Sequence, residues 1–166
     1  DILKGHGGRD RLEERADVDF VLDDDLLTGN GRDEMRDRIE SADLSGGESA
    51  NRIDASDFTV RTTLRGAGGD DHLLGGRHDH RLEGDDGNDV LNGGRGRDDL
   101  DGGNDDDRLL GGTHNDVLSS GLGNDIVNGQ GGVDRLSESG DVDFILDDSS
   151  LSGVGNDRLR GIEIAH

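Results

Sequence analysis

The chain has no cysteine, no proline, no tryptophan and no tyrosine, and three phenylalanines are its only Phe, Trp or Tyr among 166 residues. Without cysteine there is no disulfide scaffold, no cysteine zinc site and no thiol nucleophile. With 28% hydrophobic residues and so few rings, a conventional globular core would be thin. No apolar run approaches the roughly 18 residues of a membrane-spanning helix, and none has the form of a signal-peptide hydrophobic region. Positive charge is scarce too, 18 Lys and Arg against 40 Asp and Glu, for a formal charge of −22. That field repels a phosphate backbone, so nucleic acid is not an expected partner. Catalytic signatures are missing: no G-x-S-x-G elbow, no H-E-x-x-H pair, no G-x-x-x-x-G-K-[ST] loop, and no EF-hand loop. No enzymatic activity is expected. Composition alone describes a disordered acidic chain whose natural counterpart is a cation.

What the sequence does contain is register. From Gly66 to Ser137 it divides into eight uninterrupted nonapeptides, beginning at Gly66, Gly75, Gly84, Gly93, Gly102, Gly111, Ser120 and Gly129. Position six holds Asp71, His80, Asp89, Asp98, Asp107, Asp116, Asp125 and Asp134. Position eight is aliphatic in all eight, and glycine fills 17 of the 24 places at positions one, two and four. A low-complexity Gly/Asp tract would not keep this spacing. Positions one to six read as a loop in which glycine permits positive φ, and His78, Asp105 and His114 at position four are expected to keep that turn. Positions seven to nine read as a short strand with position eight facing inward.

The unit Gly93–Asp101, GGRGRDDLD, fits G-G-x-G-x-D-x-U-x, the consensus of the RTX repeat. The chain thus resembles the haemolysin-type (RTX) calcium-binding family, closely over residues 66–137 and partly over 1–13. The resemblance implies an all-β fold, a parallel β-roll or β-solenoid with calcium-binding glycine-rich loops. Two nonapeptides would form one 18-residue turn, with Leu73, Leu91, Leu109 and Val127 lining one sheet and Leu82, Leu100, Leu118 and Leu136 the other. Loop n then lies beside loop n+2, bringing Asp71, Asp89, Asp107 and Asp125 together on one edge and Asp98, Asp116 and Asp134 on the other. Bare carboxylates about 5 Å apart repel by about 3 kcal/mol at an effective dielectric of 20. A hard cation reverses that sign, and Ca²⁺, which takes 6–8 oxygens in flexible geometry, suits such loops better than Mg²⁺. The seven aspartates are therefore the expected metal ligands. Eight loops give six pairs, and six Ca²⁺ would nearly neutralise the −10 balance of residues 66–137. The pair His80/Asp98 should be the weak one. His78 and His80 suit a transition metal by spacing, but no third ligand is identifiable, so they read as repeat decay on an exposed loop.

A longer period overlies the short one. Shifting by 124 aligns Asp1–Arg36 with Asp125–Arg160 at 21 identities in 36 positions, and DVDFVLDD at Asp17–Asp24 returns as DVDFILDD at Asp141–Asp148. The expected organisation is the end of one array at 1–13, an irregular β-solenoid connection at 14–65, the eight-unit roll at 66–137, and the start of the next connection at 138–166. The chain is expected to be a slice of a longer tandem protein. Thr28–Asp33 and Ser152–Asp157 read as isolated loop-like echoes, with Asp10, Asp33 and Asp157 as ligands lacking a nameable partner.

The resemblance further implies a secreted or cell-surface protein, commonly exported by a type I system and folded by external calcium. Two readings follow: a calcium-folded structural module of a large extracellular protein, or the folding and export module of an RTX enzyme or toxin. Expected partners are calcium ions and neighbouring repeats. An ice- or carbohydrate-binding face would need regular Thr or aromatic rows that the sequence lacks.

Overall fold

One aliphatic between two mostly polar residues gives each nonapeptide a strand with a single apolar face, which no isolated strand can bury. In the computed structural model, which describes residues 2–3, 9–23, 26–29, 31–35, 39–137, 145–146, 150–152 and 156–160, the chain buries that face by coiling. Its strands in chain order are β1 (Ile2–Leu3), β2 (Arg11–Arg15), β3 (Phe20–Asp23), β4 (Leu26–Gly29), β5 (Gly31–Met35), β6 (Ser41–Ser45), β7 (Arg52–Asp57), β8 (Arg61–Gly68), β9 (His72–Leu74) and β10 (Arg81–Asp86). They continue with β11 (Val90–Arg95), β12 (Asp99–Asn104), β13 (Arg108–Thr113), β14 (Val117–Leu122), β15 (Ile126–Gly131), β16 (Arg135–Leu136), β17 (Ile145–Leu146), β18 (Ser150–Ser152) and β19 (Asn156–Arg160). No helix occurs among the described residues. The fold is a parallel β-solenoid, consistent with a β-roll.

Successive strands alternate between two sheets. One runs β7-β9-β11-β13-β15 at its centre, the other β16-β14-β12-β10-β8-β6-β2. The register step within the roll is 18 residues, pairing Leu82 with Leu100 and Leu100 with Leu118 in one sheet, and Leu73 with Leu91, Leu91 with Leu109 and Leu109 with Val127 in the other. These side chains are all fully buried and form two columns, one per sheet, that meet in a single core between the sheets. A single aliphatic per strand suffices because the same contact recurs at every turn.

The strands are longer than three residues. Most run six, from position seven through position three of the next unit, as in Arg81–Asp86 and Asp99–Asn104. Positions four to six alone make the turn. The register omits position one, passing from Glu83↔Asp101 to Asp85↔Gly103, so the strand bends there while continuing to pair.

Upstream of the roll the same two sheets continue through wider turns. Leu12 pairs with Ala42 and Ala42 with Thr62, steps of 30 and 20 residues, while Phe20 pairs with Ile53 and Ile53 with Leu73, steps of 33 and 20. The extra residues supply bulk that the nonapeptides lack: Phe20, Leu22, Leu27, Ile53 and Phe58 are buried here. The widest turn makes an antiparallel excursion β3-β4-β5, whose last strand pairs in parallel with β1. Thr28–Asp33 therefore belongs to a hairpin, Thr28 opposite Arg32 and Gly29 opposite Gly31, and is not a nonapeptide-like loop. An added Cβ at Gly29 would strike the Phe20 ring, so the hairpin lies directly over the core.

The 124-residue period is structural as well. Val21↔Thr28 and Leu27↔Asp33 recur as Ile145↔Ser152 and Leu151↔Asp157, and Ile2↔Glu34 recurs as Ile126↔Arg158. The same three-stranded meander thus occurs twice, 124 residues apart.

Truncating a fully buried member of the leucine column removes contacts to both adjacent turns. Leu100→Ala should lower unfolding stability by about 2–5 kcal/mol. Leu122→Ala, at an exposed position, should stay within about 0.5 kcal/mol. Equilibrium urea unfolding of the two variants measures the difference, and equal losses would contradict this core.

Candidate metal centre

The loops fall on two edges. Those leading from the second sheet to the first carry Asp71, Asp89, Asp107 and Asp125; those leading back carry His80, Asp98, Asp116 and Asp134. The structure brings position six of each unit against position six two units on, as the 18-residue pairing requires. All seven aspartates are buried, with at most 2% of their surface exposed. A buried carboxylate needs hydrogen-bond partners, and the neighbouring turn provides one. The backbone N–H of Asp71 donates to Asp89 Oδ1 at 2.8 Å, that of Asp89 to Asp107 Oδ1 at 2.8 Å, and that of Asp107 to Asp125 Oδ1 at 2.7 Å. On the other edge His80, Asp98 and Asp116 donate likewise to Asp98, Asp116 and Asp134 at 2.8–2.9 Å. Asp71, His80, Asp89, Asp98, Asp107 and Asp116 also accept at their carbonyls the N–H of position seven one turn on, as in Arg108 N–H to Asp89 O at 2.8 Å.

The second carboxylate oxygen is treated differently. Oδ2 of Asp71, Asp89, Asp98, Asp107 and Asp116 is buried with no hydrogen-bond partner. It points at the position-one glycine of its own unit, where the position-one carbonyl of the next turn also arrives. An added Cβ on Gly102 would run into both Asp107 Oδ2 and Ser120 O; on Gly84 it would meet Asp89 Oδ2 and Gly102 O. Position-one glycine is there for space, since its φ is not positive. The positive φ values fall at positions two and four, including Ala67, Asp85 and Gln130 at position two and Asp105 and His114 at position four. His78 does not adopt it, so its turn departs from the others.

The electrostatics follow from burial. Desolvation pushes Asp71 and Asp116 up to about 6, Asp89 and Asp98 to about 7 and Asp107 to about 8, against lowering by the backbone N–H bonds. Repulsion from neighbouring carboxylates adds to this but is the smaller cause. The dominant penalty on the bare array is lost hydration of each aspartate, not the pairwise repulsion that the sequence suggests.

His80 is not on an exposed loop. It is buried in the place of the missing aspartate, with Nδ1 2.8 Å from Thr62 Oγ1 and 3.2 Å from the Thr62 N–H. Burial pushes its pKa down to about 4, so the ring is neutral near pH 7. Asp10 bonds through its N–H to Glu40 Oε2 at 2.8 Å, and the side chains of Asp33 and Asp157 lie outside the described set.

Two features escape the consensus. A second ladder occupies position five with opposite polarity: the N–H of Asn88 donates to Asp70 Oδ1, that of Asp106 to Asn88 Oδ1, and that of Asn124 to Asp106 Oδ1, at 2.8–3.1 Å. Asp and Asn alternate along it, and the Asn88 and Asn124 amides hold Asp70 and Asp106 below the usual carboxylate range. The alternation is readable in the sequence, although the consensus leaves position five blank. The other feature is a ninth nonapeptide, Gly46–Asp54 (GGESANRID), detached from the eight by an 11-residue insertion and disguised by Ser at position four and Asn at position six. Its Asn51 donates its N–H to Asp71 Oδ1 at 2.6 Å, extending the first edge by one turn.

Among the described residues no three His, Asp or Glu side chains gather as a metal-holding group. A cation here would take one orphaned carboxylate oxygen per loop and much of its remaining shell from backbone carbonyls, a hard, all-oxygen donor set suited to calcium. Crowding at position one makes a sharp test. Gly102→Ala should abolish or strongly weaken folding, whereas Gly131→Ala, whose Cβ would meet only ordinary contact, should be tolerated; comparable circular dichroism spectra for both would refute the close approach.

The sequence matches the haemolysin-type family described as the RTX calcium-binding nonapeptide repeat in four copies, over residues 62–79, 81–109, 101–136 and 110–145. No curated protein matches the chain. The stacked 18-residue turns and the matched repeats agree on the same residues, and the chain belongs to the RTX calcium-binding nonapeptide repeat family.

Proposed function

We propose that the chain is a structural, non-catalytic module of a secreted or cell-surface protein, in which calcium outside the cell closes the roll. The family establishes a calcium-binding repeat module. The observation that carries the finer reading is the row of buried Oδ2 atoms without partners, facing next-turn carbonyls across position-one glycine. Asp71, Asp89, Asp107 and Asp125 on one edge, and Asp98, Asp116 and Asp134 on the other, are the ligands in this reading. Bound calcium would supply the positive charge that offsets their lost hydration and would tie each turn to the next. Sites of about 10⁻⁴–10⁻³ M, typical of extracellular modules, would be empty in a low-calcium cytosol and filled outside. RTX repeat proteins are typically secreted, which supports this placement. The recurrence of the meander at a spacing of 124 residues favours a length-building module over the folding and export appendage of an enzyme or toxin.

Calcium titration followed by circular dichroism, with EDTA reversal, tests the reading. Strand signal should rise strongly with calcium and fall back with chelator as the roll opens; equal strand content in both states would sink it. Asp107→Ala removes a carboxylate shared by two neighbouring turns and should lower the apparent affinity more than Asp134→Ala at the end of its row.

The raised pKa values fix the sign of the pH dependence. A carboxyl whose folded pKa lies above its ordinary 3.8 stabilises the metal-free fold at low pH, and this contribution is lost as pH rises through about 6 to 8. His80 works in the opposite sense, but only below its ordinary 6.5. In EDTA, strand signal should therefore increase as pH falls from 8 to 6.5, and the calcium midpoint should move to higher concentration because protons compete for the same oxygens. A midpoint constant across that window would contradict the burial of these carboxylates.

A further inference from the structure

Each edge begins with a position-six residue that is not aspartate: Asn51 on the first and His80 on the second. Both donate their N–H to the first aspartate of the row, Asn51 to Asp71 Oδ1 and His80 to Asp98 Oδ1, so backbone geometry runs unbroken into the array. Their side chains differ from aspartate in the respect that matters to a cation. Asn51 Oδ1 occupies the place of the orphaned Oδ2, against Gly46, but it accepts the Gly47 N–H at 2.8 Å. Its Nδ2 stands where an aspartate would accept, and donates instead to Asp17 Oδ1 at 3.2 Å. The same Asp17 oxygen takes the Ser49 N–H at 3.3 Å and the Ser49 hydroxyl. The neighbouring Arg52 N–H donates to Asp19 Oδ1 at 2.7 Å. At His80 the contrast is sharper, because the atoms facing Gly75 are the ring carbons Cδ2 and Cγ. Where the other units present an oxygen, this one presents carbon, and its two nitrogens are engaged by Thr62 and the His78 N–H.

We propose that Asn51 and His80 are metal-free caps that start the two arrays: their loops are closed by hydrogen bonds to Asp17, Ser49 and Thr62, and calcium occupies only the loop pairs that follow. This rests on the calcium-module reading and refines it. The filled pairs are Asp71/Asp89, Asp89/Asp107 and Asp107/Asp125 on one edge, and Asp98/Asp116 and Asp116/Asp134 on the other. That gives five ions, one fewer than the six pairs of the eight contiguous loops. The caps give each row a first turn that needs no metal, so the wide turns upstream hold their shape before the roll is loaded. The sequence repeats Asp17 and Asp19 as Asp141 and Asp143, where the next array would need the same closure.

The test counts calcium bound by the whole chain, using isothermal titration with calcium alone at pH 8. The expected counts are five for the unsubstituted protein and for His80→Ala, and six for His80→Asp and for Asn51→Asp, each of which restores a carboxylate to its row. A count above five that falls on His80→Ala, or aspartate variants that still bind five, would overturn the caps while leaving the calcium module standing. No calcium bound by the unsubstituted chain would instead sink the module reading. Hydrogen exchange in EDTA provides a check that does not depend on added sites: the Ser49 and Gly47 amides should be protected, and Asp17→Ala should remove that protection while the calcium count stays at five. Unprotected amides at Ser49 and Gly47 before substitution would overturn the cap as well.

Discussion

The turns of the roll are joined by one recurring buried contact, a backbone N–H at position six donating to the aspartate carboxylate 18 residues on. Its geometry fixes the rest. The carboxylate must be inside the loop to accept, so it loses its hydration. Position one is glycine in seven of the eight units, and at Gly66, Gly84, Gly93, Gly102 and Gly111 the second carboxylate oxygen and the next turn's carbonyl both arrive there. The second oxygen of Asp71, Asp89, Asp98, Asp107 and Asp116 then has no hydrogen-bond partner. Stacking and burial cost are therefore two sides of one arrangement: the carboxylates that make the loops stack are the ones that lose their hydration.

That arrangement explains how so little apolar surface suffices. A globular domain gathers its core from dispersed positions, whereas here one fully buried aliphatic per strand repeats its contacts along two columns. The sheets add continuous backbone pairing at each turn, and the position-five ladder binds the outer loop rim with alternating Asp and Asn. Among the described residues the phenylalanines, Phe20 and Phe58, lie buried in the wide turns, where the sheets are held together without the aspartate rows.

Much of the roll was legible because a solenoid converts sequence period directly into spatial neighbourhood. Position eight of alternate units had to meet, and Leu82, Leu100 and Leu118 do. The seven aspartates were marked for the same reason. Where the period breaks, reading failed. Thr28–Asp33 has the residues of a loop but forms a hairpin over Phe20, and Gly46–Asp54 went unnoticed as a ninth unit because Ser49 and Asn51 replace the two most diagnostic residues. His80 looks like surface decay in the sequence, yet it fills a buried aspartate's place through the hydrogen-bonding capacity of an imidazole.

The sequence by itself determined the nine-residue register, the 18-residue turn, the two leucine columns and the charge that calls for a cation, because all of these are properties of a repeat. Tertiary structure decided what a one-dimensional period does not encode: which carboxylate oxygen is bonded and which is orphaned, that burial outweighs mutual repulsion in raising the aspartates, and that Asn51 and His80 donate their N–H groups to the first aspartate of each row. Those outcomes depend on which atoms of the neighbouring turn lie within hydrogen-bonding distance, and that is settled only when the turns are stacked.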